Sequence, residues 1–334
     1  MGVDIVLNWY PLETIFYPMI KLLFTLILLV SVLNLRGQFT NIPVTPTLFM
    51  EGEVSTNISE RDMAISPDGN EMYFTLLGNQ NAFSTILYKR KLNTMNWSAP
   101  EVVSFSGRFS DLEPAFSADG KKLFFSSNRP INGSEIKDYD IWYAEKVNGK
   151  WNEPKNIGTP INTERDEFYP SLSSSGNLYF TAAYEKGIGK EDIYISSLKN
   201  GSYSDPIALD TAVNSKFYEF NAFITADEKM IFFTSYGRKD DLGGGDLYVS
   251  LKNAEGKWQS AKNIELLNTS KLDYCPYVSP NKKSFFFSSS RHTLKSSYDK
   301  PVTYQELLKI YNRASNGSEN IYWISFETLL ESLK

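Results

Sequence analysis

Five acidic residues recur at intervals of about 50 residues and are the first candidates for chemistry. They are Glu60, Asp111, Glu167, Glu219 and Asp273, and each lies nine positions before the last residue of a repeated turn segment. These segments end at residues 69, 120, 176, 228 and 282. Nine or ten positions after the same segments come Arg129, Lys186, Arg238 and Arg291, with Gly78 in the first copy. Ion pairing between strand starts and strand ends explains such regular repetition. The alternative is a charged mouth around a central channel that binds a polar ligand.

A second set of residues, two positions further along, does not repeat in type: Asp62, Glu113, Tyr169, Asn221 and Cys275. Variation at one place on a regular frame is where a specific site is expected. Asp62 and Glu113 form a pair of carboxylates, which at a suitable separation can carry out glycoside hydrolysis. A polar lining of a water-filled channel is the commoner explanation. If a binding site exists here, replacing either acid should impair binding and leave stability nearly unchanged.

Other polar residues suggest structural roles. An acid or amide precedes each of four later strands, at Asp140, Asp192, Asp246 and Asn320, and is expected to accept hydrogen bonds from loop amides. The loop 238–246 lacks the alternating acids of an EF-hand. The single histidine, His292, and the single cysteine, Cys275, exclude a disulfide and multi-histidine or cysteine-rich zinc sites. We expect neither a metal nor a cofactor.

These residues lie on an internal repeat. The copies run from Asp62 to Gly69, Glu113 to Gly120 and Tyr169 to Gly176, with weaker copies at 221–228 and 275–282. Their equivalent turn residues are 51, 56, 52 and 54 positions apart. Each copy reads as an inner strand, a turn, an aromatic strand, a third strand and a short outer strand. Four strands at this period match one blade of a β-propeller.

The ends of the chain indicate how the ring closes. The fifth copy lacks an outer strand, and residues 47–54 precede the first copy where such a strand would lie. The sequence therefore predicts an all-β, five-bladed propeller closed by its N-terminal strand, with six blades as the alternative. A capping box at Thr303 and Glu306 predicts one inserted helix, within about 301–313. A short helical tail should follow the last strand.

The turn, the aromatic strand and the Ser126–Arg129 ending together resemble TolB-type, WD-repeat-like propellers of exported bacterial proteins. The resemblance covers residues 47–327. The insertion 301–308 and the segment 319–323 are similar to a branch found in secreted proteins of Bacteroidetes. The resemblance to TolB-type propellers implies a non-catalytic periplasmic or secreted scaffold, which binds a protein, a glycan or a peptidoglycan-associated partner of the cell envelope. A carbohydrate-active or other hydrolase is the alternative, because propellers host many activities.

The N-terminus indicates export. Lys21 precedes an apolar run from Leu22 to Leu33, and small and polar residues follow at Gly37-Gln38, as in a signal peptide. We expect residues 1–37 to be either a signal peptide or an upstream extension followed by a signal peptide. In the second case Met19 is the true initiator and the signal peptide spans about residues 19–37. Residues 38–334 are expected to form the propeller. An uncleaved anchor is the alternative, although the run is short for a membrane span. The net charge of −5 argues against nucleic-acid binding.

Overall fold

A computed structural model describes residues 41–93 and 96–334 of the chain. The chain divides into two units, residues 1–42 and 43–334, and the second is the propeller. The expected signal peptide at 19–37 lies outside the described residues.

The propeller has five blades, each a four-stranded antiparallel sheet. Blade 1 contains β2 (Ser59–Ile65), β3 (Glu71–Leu77), β4 (Ser84–Arg90) and β5 (Glu101–Val102). Blade 2 contains β6 (Asp111–Phe116), β7 (Lys122–Ser127), β8 (Asp140–Val147) and β10 (Lys155–Asn156), with β9 (Lys150–Trp151) paired to β8. Blade 3 contains β11 (Glu167–Leu172), β12 (Leu178–Ala182), β13 (Asp192–Ser196) and β16 (Ile207–Ala208), beside the hairpin β14 (Leu198–Lys199) and β15 (Ser202–Tyr203). Blade 4 contains β17 (Tyr218–Ile224), β18 (Met230–Tyr236), β19 (Asp246–Leu251) and β20 (Lys262–Asn263). Blade 5 contains β21 (Asp273–Val278), β22 (Ser284–Ser289), β23 (Asn320–Ser325) and β1 (Thr47–Leu48).

The turn after each inner strand is built by its own side chains. In the first copy the Ser66 hydroxyl donates to Asp68 Oδ1 at 2.6 Å and accepts from the Glu71 amide at 2.9 Å. Ser117 and Asp119 form the same contact in the second copy, at 2.7 Å. Side-chain hydrogen bonds of Ser and Asp thus support the turn between the first and second strands in these copies, as they do in turns elsewhere.

The core lies between the blades. Separate clusters of buried apolar side chains fill the spaces between blades 1 and 2, 2 and 3, 3 and 4, and 4 and 5. The second strands contribute large aromatic side chains to these clusters, for example Phe125 and Phe180, both fully buried. Each sheet thus has two apolar faces and buries both against its neighbours.

The ring is closed by the N-terminal strand, as the sequence predicts. Thr47 pairs with Trp323 and Leu48 with Tyr322. Phe49 then packs edge-on against Phe286, with ring centroids 5.0 Å apart. The number of blades is five.

Two α-helices decorate blade 5. Helix α1 (Tyr304–Tyr311) begins with the expected capping box, in which Thr303 and Glu306 exchange hydrogen bonds, and it buries no side chain fully. Helix α2 (Phe326–Ser332) buries Phe326 and Leu329 in the core between blades 4 and 5. None of the helices among residues 41–93 and 96–334 has the length and apolarity to cross a membrane.

Candidate functional site

The five repeated acids, called here the outer acid column, are almost completely buried. Their exposed fractions are 0–1%. Each carboxylate accepts a hydrogen bond from the hydroxyl of a serine or threonine in the connection from the preceding blade: Thr56, Ser106, Thr163, Ser215 and Thr269. Each acid therefore fastens an incoming connection to the inner strand that follows it. The serines and threonines four or five positions earlier are the sequence signal for this role.

In three blades the acid also forms an ion pair within its own blade. Asp111 lies 2.6 Å from Arg129, Glu219 3.0 Å from Arg238, and Asp273 2.6 Å from Arg291. Each guanidinium also lies over an aromatic ring of the second strand, 5.0 to 5.4 Å from the centroid. The structural interpretation of these residues is confirmed in blades 2, 4 and 5.

The other two blades use neutral partners. The Tyr184 hydroxyl donates to Glu167 at 2.9 Å, whereas Lys186 is exposed. The spacing of the repeat predicts Lys186 as the partner of Glu167. That prediction is wrong, because the loop places Tyr184 against Glu167 instead. In blade 1, where Gly78 offers no side chain, Asn320 of blade 5 donates to Glu60 at 3.0 Å.

The outer acid column does not form a channel mouth. Its five acids, and their partners Arg129, Arg238 and Arg291, line neither of the axial cavities described below. Residues two apart on a regular strand share a face, which would place the variable residues on the same side as the outer acid column. A β-bulge between the columns breaks that alternation.

The bulge occurs at the same place in all five inner strands. Its residue has a left-handed backbone in every blade: Asp62 (φ 62°), Glu113 (φ 62°), Tyr169 (φ 51°), Asn221 (φ 50°) and Cys275 (φ 54°). Asn and Asp adopt this conformation readily, whereas Glu, Tyr and Cys are strained in it. The bulge turns the variable side chains away from the outer acid column and toward the propeller axis.

At the axis these side chains meet Arg61, and together they form the axial cluster. Arg61 Nε lies 2.7 Å from Asp62 Oδ1, and Arg61 Nη2 lies 2.8 Å from Glu113 Oε1. The guanidinium also lies over the Tyr274 ring, 4.8 Å from its centroid. Arg61 therefore joins blades 1, 2 and 5.

Glu113 is the centre of the cluster. Its Oε2 accepts hydrogen bonds from the Ser126 hydroxyl at 2.9 Å and the Tyr169 amide at 2.6 Å, while Asn221 donates to Oε1 at 3.3 Å. Burial raises the pKa of Glu113 to about 7, against the opposing effect of Arg61. The carboxylate thus holds four blades together and is fully engaged by donors.

The expectation that Asp62 and Glu113 are dispensable for folding does not fit this arrangement. Both are buried, with exposed fractions of 2% and 4%, and both share one arginine. Removing either leaves a buried charge or donor without its partner, which destabilises a protein. Cys275 is buried as expected, and burial raises the pKa of its thiol.

Two cavities lie on the axis, one on each side of the axial cluster. The loop-face cavity, of about 530 Å³, opens on the face that carries the loops between second and third strands. The turn-face cavity, of about 340 Å³, opens among the repeated turns, near Pro67 and Pro280. Glu113 borders both, Arg61 and Asn221 border the first, and Asp62 and Tyr169 border the second. The axial cluster thus divides the channel.

Six of the seventeen residues that line the loop-face cavity are aromatic. Each inner strand contributes the residue before its bulge residue: Arg61, Leu112, Phe168, Phe220 and Tyr274. Tyr139, Tyr218 and Tyr236 also line the cavity, together with polar residues that include Asn81, Ser84 and Thr181. Sequence reasoning missed this column, although a single arginine among four apolar residues at equivalent positions marks it.

Glu191, at the edge of the loop-face cavity, was also missed. Its carbonyl accepts the Glu219 amide at 2.9 Å, which fixes it where blades 3 and 4 meet. Burial and the nearby Glu113 raise the pKa of Glu191 to about 7. Within residues 41–93 and 96–334, no hydrogen bond or ion pair reaches its carboxylate. Its sequence offered little signal, since it lies in a loop whose length differs between blades.

The acids before the third strands act largely as expected. Asp192 accepts from the amides of Ile188 and Gly189, and Asp246 from that of Leu242. Asn320 accepts from the Ser315 amide. Asp140 differs, because its partners are the side chains of Lys137 and Asn156.

No protein-family model matches the sequence, and no curated protein is similar to it. Solved structures are similar in fold. TolB from Acinetobacter baumannii is 16% identical with a TM-score of 0.45, and the match covers 80% of this protein and only 55% of that one. An α-L-arabinofuranosidase from Podospora anserina is 12% identical with a TM-score of 0.47, over 85% of this protein and 94% of the arabinofuranosidase.

BT0996, solved as a complex with RGII, is 8% identical with a TM-score of 0.51, over 84% of this protein and 92% of that one. At these identities the likeness concerns the fold alone. The protein is a five-bladed β-propeller.

Proposed function

We propose that this protein is a non-catalytic binding scaffold of the cell envelope, periplasmic or secreted, whose partner docks on the loop face. The partner is a protein, a glycan or a peptidoglycan-associated molecule. The observation that carries the proposal is the contrast between Glu113, whose carboxylate is engaged by donors from four blades, and the open cavity above it, whose wall includes six aromatic residues. Open cavities with aromatic walls and few polar groups are typical binding sites.

The surface around the loop-face cavity supports this function. Exposed apolar side chains occur in the loop between second and third strands of four successive blades: Phe83, Ile131, Ile136, Ile188 and Leu242. Apolar groups that ring an open cavity mark interaction surfaces more often than scattered single residues do. Export rests on the N-terminal sequence, with residues 1–37 as the leader and 38–334 as the mature domain.

Site-specific photo-crosslinking in the cells that produce the protein tests this proposal. A photoreactive residue at Phe83 or Ile136 (39% and 67% exposed) should give covalent adducts with a partner. The matched controls are Leu92, in the connection after β4, and Val147, the last residue of β8 (66% and 51% exposed), which lie at the opposite ends of their blades. Equal labelling from both faces, or none from the loop face, would contradict the proposal.

Hydrolysis of a glycoside is the second candidate, and one observation favours it. Glu113 and Glu191 share the loop-face cavity, and burial raises the pKa of each to about 7, as a general acid requires. Against it, Glu113 is engaged by Arg61 and three other donors, which leaves no free nucleophile or base. Release of nitrophenol from aryl glycosides by the wild type, but not by Glu191→Gln, would establish this activity.

A further inference from the structure

The carboxylate of Glu191, which has no hydrogen-bond or ion-pair partner among the described residues, indicates the class of ligand that the loop-face cavity would bind. The other acid there, Glu113, is bound to Arg61 at 2.8 Å. Arg61 also pairs with Asp62 at 2.7 Å, so it is already shared by two acids, whereas the carboxylate of Glu191 has no partner among the described residues. An uncompensated carboxylate at the edge of an apolar cavity favours a cationic ligand group, because the ligand restores the lost solvation.

The walls are suited to the same kind of group. Tyr139 lies beside Phe168 with ring centroids 5.1 Å apart, and Tyr218 beside Tyr236 at 6.1 Å. Aromatic rings attract ammonium and guanidinium groups over their faces. Tyr218 already does so within this protein, since Lys190 Nζ lies 4.9 Å from its ring centroid.

Tyr274 adds an independent observation. Its side chain lines the cavity and the residue is only 3% exposed. Among the residues that the structure describes, none offers a hydrogen-bond partner to its hydroxyl. A buried hydroxyl without a partner is uncommon in folded proteins, so the wall of this cavity contains a second polar side chain, besides Glu191, whose hydrogen-bonding capacity is unused.

We propose that the loop-face cavity binds the ammonium or guanidinium group of a basic peptide side chain, with Glu191 as its counter-charge. This rests on the proposed binding function and specifies its ligand class. The cation lies between Glu191 and the rings of Tyr218 and Tyr236, and its hydrogen-bond donors reach the Glu191 carboxylate. The exposed apolar loops contact residues on either side of the basic one.

Calorimetric titration of the full chain with two nearly isosteric probes tests the proposal. Nα-acetyl-lysine methylamide carries the ammonium, whereas Nα-acetyl-norleucine methylamide does not. The lysine probe should bind at least about tenfold more tightly, a difference of about 1.4 kcal/mol. Glu191→Gln should abolish that preference. Glu185→Gln, a control on the same loop whose side chain is 86% exposed, should retain it.

Equal affinity for the two probes, no binding of the lysine probe, or an unchanged preference in Glu191→Gln would overturn the cation site. So would binding of an uncharged chitin disaccharide in place of the lysine probe. None of these outcomes removes the proposed binding function, because that function is judged by crosslinking at Phe83 and Ile136. Loss of loop-face adducts, in turn, would refute the docking surface whatever the probes show.

Discussion

The outer acid column and the axial cluster are both buried sets of charges on the same five strands, yet they are built differently. In blades 2, 4 and 5 the outer acids pair with an arginine of their own blade, so each contact repeats with the blade. The axial cluster exists once, and Arg61 and Glu113 join side chains from different blades. Repeated contacts stabilise a blade, whereas the single contact at the centre stabilises the ring and can differ between proteins.

The largest expected effect comes from opening the ring. Deleting residues 43–56 removes β1 and the buried Phe49, Met50 and Val54. Blades 1 and 5 should separate and the axial cluster should come apart, whereas the ion pairs within blades 2 and 4 should persist. Hydrogen exchange should therefore show lost protection first in β2, β21 and β23.

The control for this deletion replaces α1, which buries no side chain fully, with a flexible linker of equal length. It should unfold in urea close to the wild type. If the deletion variant instead unfolds in the same single transition as the wild type, the N-terminal strand is not what closes the ring.

The next largest effect should follow Arg61→Met. The change leaves Asp62 and Glu113 buried without their cation, and breaking a buried pair costs about 3–5 kcal/mol of unfolding free energy. The loss should be smaller at pH 5 than at pH 8, because Glu113 then holds a proton. Urea denaturation at both pH values measures this.

Arg165→Met is the matched control, since Arg165 and its partner Glu185 have side chains 51% and 86% exposed. Removing such a surface pair should change stability by less than about 1 kcal/mol. Equal losses in the two variants would mean that the axial cluster contributes no more than a surface ion pair.

Within the outer acid column, the effect should depend on the charge of the partner. Asp111→Ala leaves Arg129 buried and unpaired and should cost about 3 kcal/mol, with Glu219→Ala similar because its partner is Arg238. Glu167→Ala leaves only neutral donors, from Thr163 and Tyr184, and should cost about 1–2 kcal/mol. Thermal and urea unfolding of the three variants would separate them, and a uniform loss would show that the partner charge is irrelevant.

The smallest expected effect is a change in pH dependence. Burial raises the folded-state pKa of Glu60 and Glu167 to about 7, from an ordinary value of 4.5. Between those values the folded protein keeps protons that the unfolded chain releases, so the free energy of unfolding should fall as pH rises from about 4.5 to 7. Glu167→Gln should make this fall shallower between pH 5 and 8, and Glu185→Gln should not. A slope that is the same in both variants would argue against an elevated pKa at Glu167.

Much of the fold could be predicted from the sequence because it repeats. The turns near Asp68 and Asp119, the aromatic strands and the missing outer strand of the fifth copy are local patterns, and they gave the blade count and the closing strand. The ion pairs of Asp111 and Asp273 followed from counting positions. The predicted pairing of Lys186 with Glu167 was wrong, because the spacing of the repeat does not show how a loop of different length turns.

The site was less predictable, for two physical reasons. The bulge at Asp62 and its equivalents reverses the alternation of side chains, and no single residue type marks it, since Tyr169 and Cys275 adopt the same left-handed backbone. The second reason is that cavity walls come from distant segments. Arg61 stands out only beside its equivalents Leu112 and Phe168, and Glu191 only when blades 3 and 4 are seen together.

The pairing of β1 with β23 has a consequence for the synthesis of the protein. Strand β1 is synthesised before the other strands, but it cannot pair until β23 has been synthesised, because the partner of Thr47 is Trp323. Such a contact, spanning nearly the whole domain, forms slowly. A polypeptide that stops before residue 320 would keep an unpaired sheet edge, with the side chain of Phe49 uncovered, and exposed edges and apolar groups promote aggregation and degradation. The closing pair of strands can therefore form only after synthesis has passed β23.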